Sequence, residues 1–277
     1  MPDVEPHPAA HFVPFTGRHL EDALRLSREA GWPHRLEDWA LVAAVSKGVV
    51  AEAEGKVVAT GFCTPYGDHM RFNMVIVDAR LRGQGIGRRL MTELMILADG
   101  HPISLVATAD GQPLYEKLGF APAGRIVQFQ GGVRASSEPE ARLVRAGTAG
   151  DIDMVAAMDR AATGVDRSVL LDRLVATGTL LMAGDGFAVL RDFGRGRVLG
   201  PVVARDEETA GALILAAARR SDGQFLRIDT PLGAELGALL ESLGLMPAGG
   251  GTIMQKGAAA SASDAFTLYA LTSQALG

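Results

Sequence analysis

Apolar and polar positions along this chain fall into a repeating order of periods. Arg71–Asp78 (RFNMVIVD) is a nearly continuous apolar run of strand length, and Gly87–Ala98 has the spacing of an amphipathic helix. Ile103–Thr108 returns to a strand pattern. A short helix then closes at Gly119, the residue type that caps helices in the left-handed conformation. Further along, Arg197–Ala204, Asp206–Arg220, Phe225–Thr230 and a helix closing at Gly244 repeat the order. Upstream of the first set lie a strand at His11–Phe15, helices at Arg18–Ala30 and Leu36–Ser46, and strands at Val49–Glu54 and Lys56–Cys63. Upstream of the second set lie Arg142–Arg145, Asp151–Ala161, Arg167–Ala176, Thr179–Ala183 and Phe187–Asp192, with the same succession of types.

The letters agree with the periods. Tyr115–Gly124 reads YEKLGFAPAG and Leu240–Gly249 reads LESLGLMPAG, 125 residues later. The pattern predicts two units, 1–134 and 135–277, joined through the Gly-, Ser- and Pro-bearing segment Gly131–Arg142. Strands interleaved with helices at this spacing predict an α/β or α+β fold. Ala258–Asp264 is small and polar and is expected to be mobile, with Phe266–Leu271 returning as a last strand.

Composition narrows the classes. A length of 277 residues accommodates two domains of ordinary size. The single cysteine, Cys63, excludes an intrachain disulfide framework and a Cys-rich zinc site, and it fits a reducing compartment. It reads as a thiol buried in a strand. The opening MPDVEPHPAAHFVPF lacks the basic start and apolar run of a signal peptide. No stretch reaches the roughly 20 apolar residues of a spanning helix. The expectation is a cytoplasmic protein without a membrane partner. A net charge of −5 disfavours a broad nucleic-acid surface. His7 and His11 stand four apart, but in a Pro-rich segment, and no metal site is expected.

The strongest local signal is Arg82-Gly83-Gln84-Gly85-Ile86-Gly87, followed by Arg88 and Arg89, between a predicted strand and a predicted helix. Glycines let backbone N–H groups converge on an anion, and a helix start adds favourable partial charge. Arg80, Arg82, Arg88 and Arg89 face only Asp78 in sign, which makes a basic patch in an acidic protein. A Walker loop needs Gly-Lys-Ser/Thr, which is absent. A dinucleotide fingerprint needs a third glycine where Arg88 stands. The pattern Arg/Gln-x-x-Gly-x-Gly is met by Arg82, Gly85 and Gly87. Here the sequence resembles the GNAT superfamily of acyl-CoA-dependent N-acyltransferases, over roughly residues 10–130. Pro113–Phe120 (PLYEKLGF) resembles that family's segment after the fifth strand.

The resemblance implies two tandem GNAT-like domains, each a mixed, mostly antiparallel sheet flanked by helices. It implies acetyl-CoA as co-substrate and transfer of its acetyl group to a primary amine, with a small-molecule acceptor favoured. Backbone at Met74, Val75, Ile76 and Val77 would hold the pantetheine arm and polarise the thioester carbonyl. Arg82, Gly83, Gln84, Gly85, Ile86, Gly87 and Arg88 would hold the pyrophosphate. Tyr115 matches the family tyrosine that protonates the departing thiolate; a phenol is protonated at neutral pH and can donate. No motif fixes the general base. Glu52, Glu54, Asp68 and His69 are the candidates by position, with His69 singled out because imidazole exchanges protons near neutral pH. Trp32 reads as an acceptor wall or as core packing, like Trp39. Asp110 reads as a substrate contact or as the turn residue before Gly111. Rival readings are a non-catalytic acyl-CoA sensor and a transferase for a longer acyl chain. The chain is expected as a monomer that mimics a dimer, or as a homodimer.

The second copy departs from the pattern. Arg82–Gly87 corresponds to Glu207-Glu208-Thr209-Ala210-Gly211-Ala212, preceded by Asp206, and Tyr115 corresponds to Leu240. Acids at a helix start supply the negative charge that the helix dipole favours and repel a pyrophosphate. Gly200–Ala204 with Gly164–Arg167 resembles the C-terminal domain of tandem bacterial GNAT proteins. This half is expected to keep the fold without the cofactor chemistry. It would either wall the acceptor pocket, through Asp166, Arg167 or Asp229, or replace a dimer partner.

Overall fold

The structure is a computed structural model that describes residues 10–134 and 144–277. His7 and most of the predicted linker lie outside the described residues. Two compact units divide the chain: Met1–Thr64 with Phe72–Gly100, and Pro65–Arg71 with His101–Gly277.

The first unit opens with β1 (His11–Pro14), α1 (Leu20–Glu29) and α2 (Leu36–Val45). It continues through β2 (Lys47–Ala53) and most of β3 (Lys56–Tyr66), takes up β4 (His69–Val77) from Phe72 onward, and ends with α3 (Ile86–Ala98). β1 pairs antiparallel with β2, and β2 with β3. Trp39, Phe62, Leu90, Met91 and Leu94 are fully buried and form the unit's apolar centre. The Trp39 indole N–H donates to Ser27 Oγ at 3.1 Å, so this ring is core rather than pocket wall.

The second unit contains β5 (Ile103–Ala107), α4 (Gln112–Lys117), β6 (Ala121–Gly132), β7 (Arg145–Ala146), α5 (Ile152–Thr163), α6 (Ser168–Thr177) and β8 (Thr179–Met182). It continues with β9 (Gly186–Phe193), β10 (Gly196–Ala204), α7 (Glu207–Arg220), β11 (Phe225–Thr230), α8 (Gly233–Ser242), β12 (Met246–Lys256) and β13 (Thr267–Ala270). Its strands lie in the order β5-β12-β6-β11-β10-β9-β8-β7, with β13 on β10. Met70 and Arg71, at the start of β4, pair parallel with Ile103 and Ser104. The alanine-rich α7 packs its small side chains against β9 and β10 and buries eight residues.

The two copies exchange the strands that follow α4 and α8. β12, from the second copy, pairs antiparallel with β5 of the first, and β6, from the first, pairs antiparallel with β11 of the second. β6 and β12 also pair with each other. The compact units and the repeat are therefore cut at different places. The predicted linker begins too early for the same reason. Gly131 and Gly132 are ladder residues opposite Leu226 and Phe225. Within Ala258–Asp264, expected to be mobile, Ser263 N–H donates to Ala161 O at 2.8 Å.

Candidate active site

The glycine turn begins from a fixed anchor. Asp78 N–H donates to Val58 O at 2.9 Å, and the Asp78 carboxylate accepts from the Arg80 N–H and guanidinium. The Arg80 bonds hold the Asp78 carboxyl below the usual carboxylate range. The chain then runs exposed through Arg82, Gly83, Gln84 and Gly85. Gly83 (φ +80°) and Gly85 (φ +82°) are both left-handed, which a side chain would strain, and no atom lies within 4 Å of where a Cβ would stand. Gly85 is the N-cap of α3 and supplies no side-chain cap. The first-turn N–H groups of Ile86, Gly87 and Arg88 are thus presented outward without an internal acceptor from the cap, the arrangement that binds phosphate. Arg89 lies over the Phe12 ring at 4.6 Å and is engaged there.

β4 breaks its regular backbone within the predicted cofactor segment. Met74 has φ +49°, and its carbonyl accepts from Thr60 Oγ1 at 2.8 Å. Such a departure in a non-glycine residue re-aims the neighbouring peptide groups of Val75, Ile76 and Val77.

Tyr115 sits on α4, buried, with its ring edge-on to Phe120. Burial pushes its phenol up to about 12, so it is protonated throughout the neutral range. Asp110 lies in the turn before α4, closed by the Gly111 and Gln112 N–H groups donating to Thr108 O. The Gln112 amide is bonded to Glu116 and Thr252.

A cavity of about 260 Å³ lies in the second unit. Tyr66, His69, Arg71, Arg167 and Gln255 supply polar atoms to its wall, and Met70, Ile103, Ile253, Leu268 and Leu271 much of its apolar surface. Nε2 of His69 is buried with no hydrogen-bond partner. Among the four base candidates it is the one that meets a cavity. Glu52 is bonded to Arg18 and His19, Glu54 lies in the hairpin turn at φ +51°, and Asp68 is exposed. Trp32 is half-buried in the first unit, edge-on to His34, and does not line this cavity. Burial pushes the Cys63 thiol up to about 11, away from nucleophilic behaviour.

The residue that sequence reasoning passed over is Arg71. Its burial pushes the guanidinium down to about 10, with Arg167 adding to the effect. The signal was present: an arginine inside the apolar run RFNMVIVD must have buried acceptors.

In the second copy the helix start is closed. The Asp206 carboxylate accepts from Thr209 N–H at 2.7 Å as the N-cap of α7, with Glu207 and Glu208 in the first turn. Leu240, at the tyrosine's place, is fully buried in the core.

No group of three or more potential metal ligands occurs among the described residues, and no helix among them is long and apolar enough to cross a membrane. Both halves are mixed α/β, and one bears an open glycine turn at a helix start. Two models, each described as an acetyltransferase (GNAT) domain, match residues 45–122 and 155–270. An uncharacterised N-acetyltransferase of Bacillus subtilis (strain 168), YitH, is 30% identical over 228 residues, which cover 77% of this chain and 79% of that protein. The chain belongs to the GNAT family of acetyltransferases and carries two of its domains in tandem. A putative acetyltransferase from Pyrococcus horikoshii shares the fold at TM-score 0.84 and 20% identity, over 97% of this chain and 96% of that one. A tandem GNAT protein from the clavulanic acid pathway shares it at TM-score 0.63 and 16% identity, over 92% and 100%.

Proposed function

We propose that this protein transfers an acetyl group from acetyl-CoA to the primary amine of a small molecule, using the first half, 1–134, and that 135–277 is a degenerate copy. The observation that carries the reading is the exposed, side-chain-free start of α3. That start, with Arg82 and Arg88, suits the pyrophosphate, and the irregular strand from Met74 to Val77 suits the pantetheine arm and the thioester carbonyl. Family membership supports the acyl-CoA chemistry.

The amine nitrogen attacks the carbonyl carbon, forming a C–N bond and an oxyanion. Collapse breaks the C–S bond and releases a thiolate. Tyr115, held protonated by burial, gives that thiolate its proton. Before attack the ammonium loses a proton to His69 or to water, because only the free amine has a lone pair, and the nitrogen sheds a second proton to water as the intermediate collapses. The products are an N-acetylated amine and free coenzyme A.

The test is thiol release from acetyl-CoA across a panel of small amines, with Tyr115→Phe alongside. Turnover on at least one amine, reduced in the variant, is expected. Coenzyme A binding with no turnover on any amine would establish the sensor reading instead.

A further inference from the structure

β10 and β11 run parallel but pair only near their starts, Arg197 with Leu226 and Val198 with Arg227. Beyond that point β13 lies between them. It pairs antiparallel with β10, Val202 opposite Ala270, Val203 opposite Leu268 and Ala204 opposite Thr267. On its other edge, Leu271 N–H donates to Asp229 O at 2.8 Å. Gly200 makes room for it: a Cβ there would stand 1.8 Å from Leu271 O.

The residues after β13 form no ladder, yet their carbonyls are met by side chains. Arg191 donates to Thr272 O, Arg71 to Gln274 O and Ala275 O, and Tyr66 to Leu276 O. Arg167, itself paired with Asp159, donates to Gly277 O. Buried arginines are rare, and here Arg71 and Arg191 satisfy backbone carbonyls of this segment while Arg167 joins the Thr272 N–H on Gly277 O. Leu268, Leu271 and Gly277 of this segment line the cavity.

In the first copy Met70 and Arg71 make the same two-residue parallel start with Ile103 and Ser104. On the proposed reading, the strand so begun serves the pantetheine arm of acetyl-CoA. We infer that the second copy has exchanged cofactor binding for strand binding: the gap between β10 and β11 is the seat of the chain's own segment 267–271. The seat takes an extended backbone that bonds to both strand edges, the hydrogen-bonding role of a pantetheine arm, and it cannot take both. The inference rests on the acetyl-CoA reading of the first copy only for the identity of the displaced ligand.

Two measurements on the full chain test it. Calorimetric titration with coenzyme A should find one site per chain, and none in Gly85→Glu. Amide hydrogen exchange should find 267–271 protected like β10, with and without saturating coenzyme A. Gly200→Ala should speed exchange at 267–271 by about 100-fold while coenzyme A affinity stays within about threefold. Two sites per chain, one site surviving in Gly85→Glu, or protection lost on adding coenzyme A would overturn the inference. So would exchange at 267–271 as fast as at 258–264. No binding to the wild type would count against the acetyl-CoA reading alone, and strand protection would then decide this one. If Gly200→Ala does not fold, the wild-type amides decide it.

Discussion

Two helices begin at corresponding places in the two copies, and their first turns are built in opposite ways. α3 starts at a left-handed glycine with no side chain to cap it, on an exposed turn. α7 starts at Asp206, whose carboxylate takes the Thr209 N–H, and two glutamates follow. The first leaves its backbone donors uncapped; the second caps one of them with the Asp206 carboxylate and adds two negative charges beside the rest. The same contrast recurs at the next position: a buried tyrosine on α4 in one copy, a core leucine on α8 in the other. On the proposed reading, an anion site consists of stabilising contacts withheld at one helix start and present at the other.

The sharpest break of that contrast is Gly85→Glu. It adds a strained side chain and a negative charge where the pyrophosphate is expected. Coenzyme A affinity should fall by on the order of 100-fold or more by titration calorimetry. Affinity unchanged would remove the phosphate site from α3.

Tyr115→Phe should lower kcat by about 100-fold with little change in the acetyl-CoA KM, because the proton is needed only as the thiolate leaves. The pH dependence has a definite sign. The working form is the protonated phenol, and burial raises its pKa to about 12, so deprotonation moves further above neutrality. Tyr115 should therefore impose no alkaline fall in kcat below about pH 11. A tyrosine-dependent fall between pH 8 and 10 would contradict this.

Much of this was legible in sequence because it is local. The glycine turn, its arginines and the acids of the second copy lie within a few residues of one another, and so do the periods of most helices and strands. Phe225–Thr230 is one strand in both the pattern and the structure. β6 (APAGRIVQFQGG) and β12 (MPAGGGTIMQK) were not legible, since Gly and Pro there imitate a turn. Their strand character comes from neighbours more than 80 residues away, Phe225 opposite Gly132 and Thr252 opposite Ala107. The cavity was hidden for a related reason, because its wall runs from Tyr66 and Arg71 to Arg167 and Gln255, far apart in sequence. His69 could be named as a candidate, but its orphaned nitrogen could not be seen.

His69→Gln tests whether that nitrogen serves the reaction. A fall of about tenfold in kcat/KM for the amine is expected at neutral pH, modest because water can also take the proton. Raising the pH supplies more unprotonated amine, so the deficit should shrink toward pH 10. A deficit constant across that range would assign His69 to packing.

The smallest effect belongs to the second copy. Asp206→Ala removes the α7 cap and leaves the Thr209 N–H without its acceptor. Caps of this kind contribute about 1 kcal/mol, so the unfolding midpoint should drop by roughly 2–4 °C. Coenzyme A affinity should not rise, because Glu207 and Glu208 remain and the strand gap behind the helix holds β13. An added coenzyme A site in this variant would mean that the cap alone, rather than the charge and the seated strand, keeps the second copy empty.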